Sequence, residues 1–230
     1  MNPVILPICM TLNEERFIRQ TLTPLSNIFP VVIVADTGST DDALGEMAKV
    51  PHLHMIHYDH PNMEEVGKIR GYMAWVAKQL GATHVMQVDG DEIYSTKYLQ
   101  YILDNPMPEG MQAGYTTGVE CAELPNGEIW RYNTDFNRCA IFSVDSKWRG
   151  AWPYESPEAW DPDHPETQYH WPRTEPWQNF YHMHHLVRSR KDHEVNGRIE
   201  YRNLFALQTK PELQPATFLL KSWQDYEDVK

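Results

Sequence analysis

Cysteine is scarce. Only Cys9, Cys121 and Cys139 occur in 230 residues, in no Cys-x-x-Cys spacing, so neither a disulfide scaffold nor a thiolate zinc site can be built, and a reducing, cytoplasmic setting is expected. Positive charge is short as well. Twenty Lys and Arg stand against 32 Asp and Glu, a formal charge of -12, which argues against nucleic acid as a partner unless a local patch holds it. Long apolar runs are missing too. Val4 to Met10 falls well below the ~20 residues of a membrane-crossing helix and meets Asn13-Glu14-Glu15-Arg16 at once, so it reads as a buried strand and no transmembrane segment is expected. What remains, 41% hydrophobic and 23% charged residues in 26.9 kDa, is the balance of one globular domain with its own core.

The first half alternates strand-length apolar runs with helical periods. Val4–Met10, Val31–Ala35, Leu53–His57 and His84–Val88 are each about as long as a buried strand. Between Met63 and Leu80, apolar Val66, Ile69, Met73, Val76 and Leu80 recur every three or four residues, a helix ending at Gly81; Thr96 to Leu103 repeats the pattern more weakly. This order predicts an α/β fold with a mostly parallel sheet flanked by helices, whose ligand lies beyond the carboxyl ends of the strands. Past Pro125 the texture changes. Six of eight tryptophans fall between Trp130 and Trp177, and six of seventeen prolines between Pro153 and Pro176, which predicts an irregular C-terminal half that either adds a small core or faces the substrate.

Polar residues stand where strands should stop. Strand one runs into Thr11-Leu12-Asn13-Glu14-Glu15, where Thr11 or Asn13 suits a helix cap. Strand two ends in Asp36-Thr37-Gly38-Ser39-Thr40-Asp41-Asp42; the later residues suit a turn and a helix start, whereas Asp36 lacks that explanation and is placed to accept hydrogen bonds from a ribose or base. Strand four runs into Asp89-Gly90-Asp91-Glu92. Residues two apart on an extended chain share a side, so Asp89 and Asp91 are expected to project together, and two converging carboxylates call for a divalent cation such as Mn2+ or Mg2+. Arg70, at the edge of the helical stripe, is a cation within reach of the rim.

In this order, Thr11-Leu12-Asn13-Glu14-Glu15, Val32 to Asp42, Gly67-Lys68-Ile69-Arg70 and Val88-Asp89-Gly90-Asp91-Glu92 resemble glycosyltransferase family 2, of the GT-A fold, over about the first 100 residues. The resemblance implies a nucleotide-sugar donor, commonly a UDP-sugar, with Thr11, Asn13 and Glu14 lining the nucleoside pocket and Asp36 on base or ribose. It also implies Arg70 near the base, Asp89 on the ribose, and a metal at Asp91 with Asp89 beside it. Arg138-Cys139-Ala140-Ile141-Phe142 and Trp148 to Glu155 are similar to the family's later segment, in which the acid aligned with Glu155 is the general base of an inverting transfer; here Tyr154 stands where the family has His, and one residue is inserted. Glu158 and Asp161 are its neighbours and competitors. In His182-Met183-His184-His185, His182 or His184 suits a C-terminal metal ligand, and Arg188, Arg190 and Lys191 a diphosphate contact. The chain then reads as a single GT-A domain, residues 1–230, with a nucleotide-sugar-binding half (1–105) and an acceptor-binding, catalytic half (106–230). The acceptor is a carbohydrate or another hydroxyl-bearing molecule.

Three rivals differ in testable features. A sugar-nucleotide nucleotidyltransferase needs a Gly-rich basic loop after strand one, and Thr11 to Arg16 has no glycine. Asp36-Thr37-Gly38-Ser39 matches the aspartic-protease signature, but such enzymes need two of these loops and the chain has one. A non-enzymatic carbohydrate-binding module accounts for the tryptophans as stacking platforms, yet leaves Asp89 and Asp91 without purpose unless they hold structural calcium.

Overall fold

The computed structural model describes residues 3–59, 65–123, 129–146, 148–149, 156–157, 167–171, 180–185 and 213–215. All four expected strands form, as β1 (Ile5–Thr11), β2 (Val32–Asp36), β3 (Leu53–His57) and β4 (His84–Asp89). They lie in the order β3-β2-β1-β4, every pair parallel. Helices α1 (Ile18–Ile28), α2 (Ala43–Met47) and α3 (Val66–Gln79) lie between them in sequence. Strand alternation divides β1 between two cores. Ile5 and Cys9 pack with Ile18, Leu22 and Leu25 of α1, whereas Leu6 and Ile8 pack with Ile69, Met73 and Val76 of α3.

Leu22 is fully enclosed. Leu22→Ala is therefore expected to cost about 2–5 kcal/mol by leaving a cavity between helix and sheet, read as a lower urea midpoint at unchanged slope.

Two expectations are corrected in this half. Leu53–His57 is not a buried strand: His54 and Met55 are exposed, because β3 is the edge strand and has a neighbour on one side only. Leu80 leaves the helical stripe and is 51% exposed, since α3 stops at Gln79 and the chain reverses at Gly81, whose φ of 91° suits glycine. Helix α4 (Thr96–Asp104) starts where Ser95 Oγ accepts a hydrogen bond from the Tyr98 backbone N–H at 3.1 Å.

Beyond β4 the sheet becomes mixed. β6 (Ala113–Glu123) and β7 (Ile129–Ser143) form a long antiparallel hairpin that joins β4 through β7. β11 (Phe180–His185) runs parallel to β6 and carries short β5 (Glu92–Tyr94) antiparallel on its outer edge. β10 (Gln168–His170) pairs with β6, β12 (Leu213–Pro215) with β7, and β8 (Trp148–Arg149) with β9 (Ser156–Pro157) in a separate ribbon. The hairpin is more regular than expected for the second half. No proline occurs from 126 to 152, so every residue there can donate to a ladder. The whole is an α/β fold with a mostly parallel, helix-flanked sheet.

Candidate active site

Register brings the expected polar residues to one rim. Thr11 lies opposite Asp36, Met10 opposite Asp89, and Asp36 opposite His57, so the carboxyl ends of β1 to β4 are level. β4 approaches β1 closely at Gly90, where an added Cβ would meet Thr11 Oγ1 at 2.7 Å and Glu14 Cγ at 3.0 Å. Thr11 and Glu14 are both buried beneath this turn, and Thr11 Oγ1 has no hydrogen-bond partner among the described residues.

Asn13 links two loops. At φ 53° its backbone N–H donates to Ser39 Oγ (2.9 Å), and its side-chain oxygen accepts from the Thr40 N–H (2.8 Å). Glu15 and Asp42 exchange similar bonds with the opposite loop: Glu15 N–H donates to Asp41 Oδ2 and Asp42 N–H to Glu15 Oε2. These four bonds clasp the loops after β1 and β2. Neither Thr11 nor Asn13 caps α1, which begins after Phe17.

Asp36 does have a local role. Its carboxylate, 1% exposed, accepts from the Gly38 and Ser39 N–H groups (3.3 and 3.2 Å) and lies 2.9 Å from His57 Nδ1, which fixes the turn after β2. Any ligand contact at Asp36 is therefore made by a carboxylate already held in place.

Asp89 is clamped by two guanidinium groups. Arg70 Nη2 donates to its Oδ1 and Arg138 Nη2 to its Oδ2, both at 3.0 Å. Gln87, with its amide oriented to suit both donors, accepts from Arg138 Nη2 (3.0 Å) and Arg70 Nη1 (2.7 Å). Arg138 also pairs with Glu92, which is wholly buried and whose other oxygen accepts from the Asp89 N–H at 3.0 Å. Burial raises the Asp89 pKa, but Arg138 and Arg70 outweigh it and hold the carboxyl well below the ordinary range.

Asp89 and Asp91 face different side chains, Asp89 the two arginines and Asp91 the His182 ring. The strand ends at Asp89 and the chain turns at Gly90 and Asp91, so two-residue alternation does not extend across the pair. Asp91, 2% exposed, has Oδ1 3.6 Å from His182 Nε2, and His182 Nδ1 is 2.9 Å from Glu120 Oε1. Burial pulls the His182 pKa down, yet Asp91 and Glu120 together raise it to about 10.

A divalent ion fits this corner only in part. Among the described residues no group of three or more His, Cys, Asp or Glu is arranged to hold a metal. Both oxygens of Asp89 already face arginines, and Asp91 faces the His182 ring. His184 lies on β11 but its side chain is outside the described residues. Glu155, Glu158, Asp161, Arg188, Arg190 and Lys191 also fall outside the described residues.

Four participants were not singled out from the sequence as site residues: Gln87, Glu92, Arg138 and Glu120. Gln87 interrupts the apolar run of β4, which is the one local signal it carries, and Glu92 closes the acidic stretch that follows. Arg138 and Glu120 come from distant strands and reach the rim only through sheet order.

No helix among the described residues is long and apolar enough to cross a membrane. No family model and no curated protein matches the chain. Among solved structures it is similar to TarS of S. aureus, at 23% identity over 54% of this chain and 22% of that one, TM-score 0.37. It is also similar to glucosyl-3-phosphoglycerate synthase of Mycobacterium tuberculosis in complex with Mn2+ and UDP-glucose, at 19% identity over 54% of this chain and 45% of that one, TM-score 0.35. A further mycobacterial protein matches at 18% identity, over 54% of this chain and 42% of its own length, TM-score 0.36. The chain thus spans less than half the length of these structures. The mostly parallel, helix-flanked sheet is the architecture expected from the resemblance to GT-A glycosyltransferases.

Proposed function

We propose that the protein is a glycosyltransferase that moves a sugar from a nucleoside-diphosphate donor, a UDP-sugar, to an acceptor hydroxyl with the help of Mn2+ or Mg2+. The observation that supports this most is the level rim of β1 to β4, which sets Thr11, Asp36 and Asp89 in adjacent register with Arg70 and Arg138 behind them and Asp91 with His182 at the side. In this reading the held carboxylates of Asp36 and Asp89 accept hydrogen bonds from base and ribose. Preorganised acceptors suit neutral donor groups because no side chain has to be reoriented on binding. Thr11 offers a buried hydroxyl that a nucleoside can satisfy.

Asp91 would hold the divalent ion, which when bound would neutralise charge on the departing diphosphate. Arg70 and Arg138 add fixed positive charge on the same rim. Glu155, aligned by resemblance, takes the proton of the acceptor hydroxyl as the acceptor oxygen bonds to the anomeric carbon. The bond from that carbon to the diphosphate oxygen breaks, its electron pair leaving with the nucleoside diphosphate, and the anomeric centre inverts. Glu155→Gln is expected to suppress transfer about 10²–10⁴-fold while UDP affinity stays close to wild type; unaltered turnover would move the base elsewhere.

The test of the reading as a whole is binding. UDP with Mn2+, at about 100 times its dissociation constant, adds ~2.7 kcal/mol and is expected to raise Tm by about 5–10 °C, more than UDP or Mn2+ alone. Release of UDP from a UDP-sugar in the presence of acceptor should follow. A protein indifferent to every nucleoside diphosphate, with or without metal, would refute the glycosyltransferase.

A further inference from the structure

One row of side chains at the rim ends in a group that the donor-binding reading leaves unused. Thr11, Asp36 and His57 are partners in register across β1, β2 and β3, and such partners project to the same face of a sheet. Thr11 Oγ1 is buried without a hydrogen-bond partner among the described residues, Asp36 is 1% exposed, and the His57 side chain is 58% exposed. The row thus runs from a sheltered hydroxyl to an open imidazole. Because β3 is the edge of the sheet, no further strand among the described residues lies beyond His57.

Asp36 fixes that imidazole. Its Oδ2 lies 2.9 Å from His57 Nδ1, while the Gly38 and Ser39 N–H groups donate to the same carboxylate at 3.3 and 3.2 Å, so the acceptor is itself held in place. A carboxylate only accepts, which puts the hydrogen on Nδ1 and leaves Nε2 of the neutral ring as an acceptor. The two nitrogens lie on opposite sides of Cε1, so Nε2 is turned away from Asp36. The Tyr58 N–H, next along the chain, donates to the Asp36 carbonyl at 2.8 Å and pins the backbone just after the histidine. Ring and backbone are both tied to one buried aspartate.

From this geometry we infer that His57 is a specificity-determining residue: its Nε2 accepts the N3–H of a uracil base and so selects uridine from cytidine nucleotides. The inference rests on the glycosyltransferase reading and adds to it the group that recognises the base. Uracil presents a single ring donor, N3–H, between two carbonyl oxygens, whereas N3 of cytosine is itself an acceptor. Two acceptors set face to face lose a bond and repel. With N3–H assigned to His57, Asp36 is left the ribose hydroxyls. Neighbouring strands stand about 4.8 Å apart, which separates β1 from β3 by about 10 Å, and a nucleoside laid along the rim meets Thr11, Asp36 and His57 in turn.

The experiment is a calorimetric titration of the full chain with UDP and with CDP, for wild type, His57→Ala and His57→Gln. Wild type is expected to bind UDP about 10-fold more tightly than CDP, the size of one net hydrogen bond. His57→Ala should weaken UDP about 10-fold and leave CDP as it was, which removes the preference. A Gln amide can turn either its oxygen or its nitrogen to the base, so His57→Gln should bind both nucleotides alike. A merely structural histidine would lower Tm and leave the ratio of the two affinities unchanged; a His57→Ala protein with the wild-type ratio therefore overturns the inference and leaves the glycosyltransferase standing. Wild type that binds both equally, or that favours CDP as a donor at Nε2 would, overturns it without any variant. A chain that binds no nucleoside diphosphate overturns both readings.

Discussion

Asp91→Ala is expected to abolish most transfer, about 10²–10³-fold in kcat, with the fold intact. Asp91 is nearly inaccessible and faces His182 Nε2, and in the proposed function it is the carboxylate that receives the ion. The loss should appear in kcat and in Mn2+ dependence more than in metal-free UDP affinity, because the nucleoside contacts proposed for Thr11, Asp36 and Asp89 would remain. Asp91→Asn keeps the shape and removes the charge, and should lose nearly as much. Full turnover by a folded Asp91→Ala protein would remove Asp91 from the metal role.

The second large effect is on stability. Arg138→Ala strips the wholly buried Glu92 of its guanidinium and takes from Asp89 one of its two. Breaking a buried pair from one side leaves an uncompensated charge, which typically costs about 3–5 kcal/mol. A change of that size should be plain in the urea midpoint. Adding Glu92→Gln to Arg138→Ala should recover much of it, because the stranded charge is then gone. A single variant as stable as wild type would show that Glu92 finds another partner.

The same clamp sets the acid response. Asp89 has a folded pKa below its unfolded value, so its contribution to stability is complete above the unfolded carboxylate pKa and is lost as pH falls toward the folded one. Arg138→Ala should weaken this. In acid titrations followed by circular dichroism, the variant's stability is expected to vary less with pH below about 4 than that of wild type.

How much of this was legible beforehand follows from the range of each interaction. β1 to β4, α3 and the Ser95-capped α4 are written in local periods and caps, and those act over a few residues. So is the concentration of polar residues at strand ends, which in a parallel sheet must fall on one rim. Neighbouring residues along the chain, however, carry no record of which strand will lie beside which. Asp36 has no local explanation in the sequence because His57 comes from another strand, and Asn13 reads as a helix cap because its partners Ser39 and Thr40 lie on another loop.

The Asp-Gly-Asp stretch shows the division most clearly. Its composition announced a charged site at the end of β4. Whether the acids would share one cation depended on where the strand stopped and on which cations the sheet delivered. The chain turned one residue after Asp89, Arg138 arrived from β7 and His182 from β11, and each acid met a different partner. Thus the sequence by itself determined the parallel half of the fold and the rim on which its polar groups stand, because short-range patterning is enough to specify both. Only the tertiary structure decided which charges compensate which, because ion pairing is settled by distance in space, and the pairs that matter here are 19 to 91 residues apart along the chain.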